Sequence, residues 1–382
     1  FGSSPREPFS ITSSPPGCTR LSTLTKSMVL PSSSAGCRLA SAVLLLLGLS
    51  DAVLLHSHSS GEPEGAVIPR TSVPMPKDYE DYTRGRGSIA LFPDPANIPG
   101  KRTKGWCPGP DLPCFDPEDP VGSAESWTFA TTRDLVGMKC APGGKGGTGH
   151  YFYNVWVPEI VPFVVPEGTP GRKDTGVLVV PGGGFMHIVW EADAIASAEW
   201  LNSVGISAWI LKYRLPNEEP SLLDAQRAMS LIRSQASKHG LNASRIGVIG
   251  DSAGGNIALR LGTAKHRAYR RIDAVDDVNF RPDFQLLLYP NVPRDDASLS
   301  KSLMPPSYIA FAKDDVCCSP ATTWGYINAV KRRTRADITV SFYSNGGHGF
   351  AFPEFWPVLQ STAHMRPWKE EAVAWMKRMN VL

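Results

Sequence analysis

Three kinds of side chain that together carry out acyl transfer follow one another in the second half of the chain. Ser252 lies in a G-D-S-A-G sequence at 250–254, Asp314 and Asp315 follow it, and His348 lies in a glycine-rich stretch near the end. A serine hydroxyl becomes a strong nucleophile when a histidine takes its proton and a carboxylate orients that histidine. The order of these residues therefore predicts nucleophilic chemistry at Ser252.

The residues around Ser252 predict the backbone that such a nucleophile needs. The β-branched run at 245–249 is typical of a buried strand, and 256–261 is compatible with a helix. A tight turn between them strains the serine backbone, and side chains at Gly250 and Gly254 would collide with the neighbouring strand and helix. The start of the helix then favours the negative charge that develops beside the hydroxyl.

Each of the other candidates also follows a predicted strand. The run 308–312 precedes the aspartate pair, 338–342 precedes the loop that carries His348, and 176–180 runs into the P-G-G-G-F sequence at 181–185. Consecutive glycines let backbone N–H groups approach a substrate oxygen without obstruction by side chains. Four parts of one site therefore occur in the expected order, each at the end of a predicted strand.

Simpler interpretations of these residues stay open at this point. The aspartate pair is also compatible with capping of the helix predicted after Ser319-Pro320, and the three glycines are compatible with a plain turn. Among the other histidines, His187 lies beside the glycine loop, so we expect it at the mouth of a pocket. His364 lies among polar residues, and we expect it to be structural or exposed.

From about Asn154 to the C-terminus the chain resembles the α/β-hydrolase superfamily. Within that superfamily it is similar to the acetylxylan-esterase-like and feruloyl-esterase-like carbohydrate esterases. The resemblance rests on a set of runs spread over roughly three-fifths of the chain: 181–185, 200–202, 211–216, 224–228, 245–255, 282–284, 289–290 and 346–350.

The resemblance implies a role for each candidate residue. It implies Ser252 as the nucleophile, Asp315 as the acid and His348 as the base. It also implies an oxyanion hole made of backbone N–H groups, those of Ala253 and of Gly183 or Gly184. The acid is assigned to Asp315 because that residue stands three beyond Ala312, as in the family, and Asp314 remains the alternative.

The chain departs from the family pattern at several places. Pro181 stands where the hormone-sensitive-lipase-like branch has histidine, whereas the G-D-S spelling before Ala253 is associated with that branch. After the acid the family commonly has Val-Pro, but this chain has Val316-Cys317-Cys318, which blurs the register at the aspartates by one residue.

Alternating strands and helices predict an α/β fold with a doubly wound, mostly parallel sheet and an irregular N-terminal extension. We expect the catalytic domain to span 151–382, and the alternation over 151–157 to form its first strand. Helical spacing predicts helices over 192–204, 221–239 and 368–379. Their apolar faces are interpreted as core.

Composition agrees with an enzyme of this class. The chain has 382 residues, of which 42% are hydrophobic and 20% charged, which is enough for one large core plus extensions. The formal net charge of +3 is small and spread, and it favours neither a nucleic-acid partner nor an acidic polymer. We expect no metal or organic cofactor, because the motifs that would indicate one are missing from the sequence.

The N-terminal part differs in kind from the rest. Residues 1–27 are rich in Ser, Thr and Pro and are interpreted as disordered or as sequence upstream of the true start. Residues 28–52 have the basic, apolar and small-residue regions of a signal peptide, which predicts secretion or entry into the secretory pathway without a stable membrane span. The alternative is an uncleaved signal anchor extending to Leu55. Residues 53–150 form a Pro/Gly-rich extension.

Two further features would be used in a secretory compartment. Cys107 and Cys114 flank a proline-rich loop and are a candidate disulfide pair. The sequence Asn242-Ala243-Ser244 is an N-glycosylation sequon at a predicted surface turn.

Taken together, the sequence predicts a serine esterase that acts on carboxylic esters, with short acyl groups such as acetyl on a sugar or polysaccharide as its substrates. Phe185, His187 and Phe350 are candidate pocket residues, with loop packing as an equal alternative. The alternative functions are a lipase-like carboxylesterase, a peptidase on the same fold, and a non-catalytic binding protein. The sequence leaves the oligomeric state open.

Overall fold

Short runs of aliphatic residues form the strands of a central sheet. The computed structural model describes residues 80–94, 98–100, 126–130, 149–216, 218–293, 304–355 and 367–382. The strands, in chain order, are β1 (Ile89–Ala90), β2 (Ser126–Ala130), β3 (Gly149–Tyr153), β4 (Glu159–Phe163), β5 (Gly176–Val180), β6 (Ile188–Val189), β7 (Ser207–Lys212), β8 (Ile246–Asp251), β9 (Gln285–Leu288), β10 (Ser307–Ala312) and β11 (Ile338–Tyr343).

Helices alternate with these strands, as the spacing of apolar residues predicts. A π-helical turn over Trp190–Ile195 directly precedes the helix at Ala196–Ser203. The α-helices are α1 (Glu80–Thr83), α2 (Ala196–Ser203), α3 (Glu218–Ser234), α4 (Ala253–Thr263), α5 (Pro320–Arg333) and α6 (Trp368–Arg378). No helix within the described ranges is long and apolar enough to cross a membrane.

The central sheet has eight strands in the order β1-β4-β7-β5-β8-β9-β10-β11. In this order the pairs from β7 to β11 are all parallel, whereas the β1–β4 and β4–β7 pairs are antiparallel. Every residue of β5, β8, β9 and β10 is buried, which explains why these strands are continuous apolar runs without alternation. The predicted α/β fold with a mostly parallel sheet is confirmed.

The start of the sheet differs from the sequence-based expectation. Of the alternating run 151–157, only 151–153 form a strand, as part of β3, and this strand lies in a separate antiparallel sheet of order β2-β3-β6. Tyr151 pairs there with Val189, just beyond the glycine loop. The central sheet instead takes β1 from the N-terminal extension, where Ile89 pairs with Ile160. Alternation can predict that a segment is a strand, but the partner depends on distant residues.

The last strand of the sheet is held by the C-terminal helix. β11 pairs with β10 on one side and ends the sheet order. Glu371 of α6 accepts hydrogen bonds from the Tyr343 hydroxyl at 2.8 Å, from the Tyr308 hydroxyl at 3.3 Å and from the Ser341 hydroxyl. One carboxylate therefore ties the helix to both of the final strands.

Several sequence-based predictions lie outside the described residues. These are the interpretation of 1–27, the signal segment 28–52, the cysteine pair Cys107 and Cys114, and the placement of His364.

Candidate active site

Ser252 stands at a strained turn between β8 and α4. Its backbone angles are φ 54° and ψ −115°, a conformation that non-glycine residues rarely adopt. A Cβ at Gly250 would overlap the carbonyl of Gly254, and a Cβ at Gly254 would overlap the carbonyl of Val180 in β5. The predicted strand, tight turn and helix are therefore present, and the flanking glycines are required by close backbone approach.

The structure brings Ser252, His348 and Asp315 together in a hydrogen-bonded chain. His348 Nε2 lies 2.8 Å from Ser252 Oγ, and His348 Nδ1 lies 2.9 Å from Asp315 Oδ2. All three side chains are buried, with relative exposures of 8% or less. They come from loops at the C-terminal ends of β8, β11 and β10, at the edge of a parallel sheet where α/β proteins bind their ligands.

The two neighbouring aspartates have different partners. The second oxygen of Asp315 accepts the N–H groups of Cys317 and Cys318, both at 2.8 Å, so the carboxylate that faces His348 is fixed by its own loop. Asp314 instead accepts the N–H groups of Gly346 at 3.1 Å and Gly347 at 2.8 Å. The geometry thus places Asp315 beside the imidazole of His348, and Asp314 against the backbone of the loop that carries His348.

The surroundings of His348 favour its protonated form. Burial alone lowers the pKa of this imidazole, but its bond to Asp315 and its contact with the Cys318 thiol together raise the pKa above the ordinary value of 6.5. The ring also packs edge-on against Tyr289, with centroids 4.9 Å apart. An imidazole in this setting is held in one orientation and stabilised when it gains a proton.

The glycine loop after β5 lies against the turn at Ser252. Gly182 N–H donates to Asp193 Oδ2 at 3.1 Å, and the Gly183 carbonyl accepts N–H groups from residues 186 and 187. None of these bonds uses the N–H groups of Gly183 or Gly184, the residues expected to hold an oxyanion. Gly183 has a φ of 133°, and a Cβ there would overlap the His187 carbonyl, so glycine is required at this position.

A family model described as the alpha/beta hydrolase fold matches residues 177–381, the part of the chain that builds this arrangement. The chain belongs to this family. The resemblance drawn from the sequence motifs is confirmed, and the matched range contains the serine, the aspartate, the histidine and the glycine loop.

Two curated relatives match parts of this chain. It is 24% identical over 219 residues to an acetylxylan esterase of Xylanibacter ruminicola, which covers 49% of this chain and 43% of the relative. It is 29% identical over 120 residues to endo-1,4-beta-xylanase B of Butyrivibrio fibrisolvens, which covers 30% of this chain and 19% of the relative. The chain therefore spans less than half the length of either relative.

Solved structures share the fold of this chain. An acetyl ester-xyloside bifunctional hydrolase from Caldicellulosiruptor lactoaceticus superposes with a TM-score of 0.56 at 23% identity, covering 78% of this chain and 97% of that one. The apo form of esterase 2 from Thermogutta terrifontis gives a TM-score of 0.51 at 16% identity, covering 60% and 92%.

The three candidate pocket residues lie in different environments. Phe185 is half-buried at a φ of 62°, in the glycine loop. His187 is buried against Tyr151, with ring centroids 5.1 Å apart, and burial lowers its pKa to about 4. Phe350 is 1% exposed and packs against Tyr289. Loop packing thus accounts for His187 and Phe350, and contact of any of the three with substrate stays a prediction.

Sequence reasoning missed two exposed apolar side chains beside these loops. Met186 follows Phe185 in the glycine loop and is 43% exposed, and Val316 follows Asp315 and is 79% exposed. Their position next to the candidate site was readable from the sequence, whereas their exposure was not.

One group of side chains has the composition of a metal site. Cys317, Cys318 and His348 each place one ligand atom within 4.8 Å of the others. Cys317 is disulfide-bonded, however, and therefore offers no thiolate. The imidazole already lies between Asp315 and Ser252, so the group does not form a set of three available metal ligands.

Proposed function

We propose that this hydrolase cleaves carboxylic esters through an acyl-enzyme intermediate on Ser252. The observation that carries the proposal is the buried chain from Ser252 Oγ through His348 to Asp315, with separations of 2.8 and 2.9 Å. A nucleophile, a base and an orienting carboxylate within hydrogen-bond reach are what acyl transfer requires.

Each group has one task in the proposed reaction. His348 Nε2 takes the hydroxyl proton as Ser252 Oγ attacks the ester carbonyl, and Asp315 stabilises the imidazolium that forms. The backbone N–H groups of Ala253 and of Gly183 or Gly184 receive the oxyanion, a contribution of about 100- to 1000-fold per donor in comparable sites. His348 then returns its proton to the leaving alcohol, and water activated by the same imidazole releases the acid.

We propose short acyl groups, acetyl above all, on a sugar or polysaccharide as the substrates. The acetylxylan esterase of Xylanibacter ruminicola supports this class, since its similarity to this chain extends over 219 residues. The sequence resemblance to carbohydrate esterases points in the same direction.

A second candidate substrate class is esters with larger apolar acyl groups. Met186 and Val316 favour this class, because both are exposed apolar side chains next to the loops of the proposed catalytic residues. Contact with an apolar acyl group would remove their surface from water, which is favourable. The two substrate classes differ in the size of the apolar acyl group.

The test is hydrolysis of p-nitrophenyl acetate, p-nitrophenyl octanoate and acetylated xylan by the full chain. Ser252→Ala is the inactive variant, and Ser237→Ala, at an exposed serine in the short 3-10 turn after α3, is its matched control. Release of acetate from xylan, lost only in Ser252→Ala, supports the sugar-ester proposal. Preference for octanoate supports the apolar class. A folded wild type that cleaves none of the three refutes ester hydrolysis and favours a binding function.

We also propose that the protein enters the secretory pathway. The basic and apolar segment at 28–52 supports this, and Asn242 of the sequon is exposed in a turn where its side chain accepts the Ser244 N–H. Expression in a eukaryotic cell followed by N-terminal sequencing of protein from the medium tests it, and retention in the cytosol contradicts it.

A further inference from the structure

Two buried carboxyl groups that the proposed reaction does not use lie next to the glycine loop and the turn at Ser252. Asp193 lies in the π-helical turn before α2 and is 4% exposed, and Asp251 is the last residue of β8 and is fully buried. Asp193 Oδ2 accepts Gly182 N–H at 3.1 Å, whereas the contact between Asp251 Oδ2 and the Ser197 hydroxyl is long, at 3.4 Å.

The glycine loop, the turn at Ser252 and Asp193 meet at a single point. A Cβ built on Gly182 would lie 2.7 Å from Asp193 Oδ2, 3.0 Å from the Asp251 carbonyl oxygen and 3.1 Å from Ser252 Cβ. The Asp193 carboxyl, bonded to Gly182 N–H, therefore holds the start of the glycine loop close to Ser252. This loop carries the backbone N–H groups assigned above to the oxyanion.

Each carboxyl has an oxygen that lacks a partner. In the described part of the chain, Asp193 Oδ1, Asp251 Oδ1 and the Tyr289 hydroxyl are all buried without a hydrogen bond. Two ionised carboxylates that share a buried site repel each other and lose their hydration, so one of them retains a proton. That proton would reside on one of the two carboxyl groups.

We propose that Asp193 and Asp251 share one proton, with Asp251 as the acid and Asp193 as the carboxylate, and that this pair positions the oxyanion loop against Ser252. The role in positioning rests on the proposed esterase function, whereas the shared proton does not. Both are positioning residues, because they act through Gly182 and the Ser252 turn and not on the substrate.

The bonds of the two side chains decide which of them is the acid. Asp193 accepts a backbone N–H, which favours its ionised form, whereas Asp251 has only the long contact to Ser197. In agreement, burial and the neighbouring Asp193 charge raise the pKa of Asp251 well above its ordinary value. Burial raises the pKa of Asp193 only to about 6, since Gly182 N–H and the His348 charge oppose the shift.

The titratable groups around the pair come from several elements. His348 favours ionisation of both carboxyls, and the Tyr289 hydroxyl approaches Asp193 without hydrogen-bond geometry in this structure. Burial, and after it the Asp193 charge, raises the pKa of each neighbouring tyrosine, namely Tyr151, Tyr213 and Tyr289. At alkaline pH, loss of the proton from Asp251 would leave two negative charges beneath the loop. We therefore expect turnover to fall at high pH.

The test compares Asp251→Asn with Asp251→Ala. An Asn amide donates to Asp193 at every pH, so Asp251→Asn should keep kcat within about threefold at neutral pH and abolish the alkaline fall. Asp251→Ala removes the donor, so kcat should fall by about 100-fold with little change in KM, the cost of a displacement of about 1 Å at a reacting centre. Equal losses in both variants, or an unchanged alkaline limb in Asp251→Asn, would overturn the positioning role.

Infrared spectroscopy tests the proton without reference to activity. The wild type should show the C=O stretch of a protonated buried carboxyl at neutral pH, and the band should disappear as the pH is raised and be missing from Asp251→Asn. In Asp193→Asn the band should shift, because its acceptor has changed. A wild type without this band overturns the shared proton even if no variant folds. A wild type that shows the band but hydrolyses no ester refutes the proposed function instead.

Discussion

Replacing Asp315 by asparagine should invert the proton arrangement on His348. Asp315 Oδ1 accepts the N–H groups of Cys317 and Cys318, both at 2.8 Å, and an Asn carbonyl oxygen can keep both bonds. The amide NH₂ must then face His348 Nδ1, 2.9 Å from the present carboxylate oxygen. Because Nδ1 becomes an acceptor, Nε2 carries the proton and cannot take the one on Ser252.

The expected loss follows from this tautomer. In Asp315→Asn we expect kcat for p-nitrophenyl acetate to fall by about 10⁴-fold, or about 5.4 kcal/mol of activation free energy, with KM nearly unchanged. Circular dichroism should show a folded protein, since the bonds to residues 317 and 318 remain. The same substitution at Asp314 is the matched control.

Asp314→Asn should act on the loop and not on the proton. One acceptor oxygen remains for the N–H groups of Gly346 and Gly347, and Asp314 is exposed, so unfolding stability should fall by about 0.5–1.5 kcal/mol. We expect kcat to fall by no more than about tenfold. The reasoning is refuted if Asp314→Asn is the less active variant, or if Asp315→Asn keeps more than about one-tenth of the activity.

Three other outcomes are expected. Gly254→Ala should lower the free energy of unfolding by about 3 kcal/mol or more in chemical denaturation, because its Cβ would overlap a carbonyl of β5. Gly325→Ala in α5, where the space is open, should instead raise the free energy of unfolding by about 0.5–1 kcal/mol. Equal effects of the two substitutions would contradict the packing argument. kcat/KM should rise with pH through the pKa of His348, since only the neutral imidazole is a base. The midpoint of the pH–rate profile should lie above 6.5, because Asp315 raises the pKa of His348. A midpoint below 6.5 would contradict this effect of Asp315. Secreted protein should lose mass on treatment with an N-glycosidase, and Asn242→Gln should not; a glycan that persists in the variant would exclude this sequon.

Much of the site could be predicted from sequence because its parts are local. A tight turn at Ser252 needs glycines two residues to either side, and a backbone anion site needs consecutive glycines, so both leave a pattern in a few adjacent residues. The order of the strands then places Asp315 and His348 within reach. The turn at Ser252 and the glycine loop therefore follow from constraints between adjacent residues.

The remaining features depend on contacts between distant segments. Asp314 and Asp315 are chemically identical in the sequence, and only the path of the loop at 346–347 distinguishes them. Asp193 lies 11 residues from the glycine it binds, and no motif marks it. Likewise, β1 joins β4 across 71 residues, so the extension could not be assigned to the central sheet from its own composition.

The position of β11 has a consequence for how the protein would lose activity. His348 follows the strand that ends the described sheet, and that strand is paired on one side and tied to the C-terminal helix by Glu371. Strands with fewer partners open at lower free energy than the core that holds Ser252. Heating or mild denaturant would therefore displace His348 while Ser252 stays in place. Inactivation would then precede unfolding, and breaking the Glu371 contacts would widen the interval between the two.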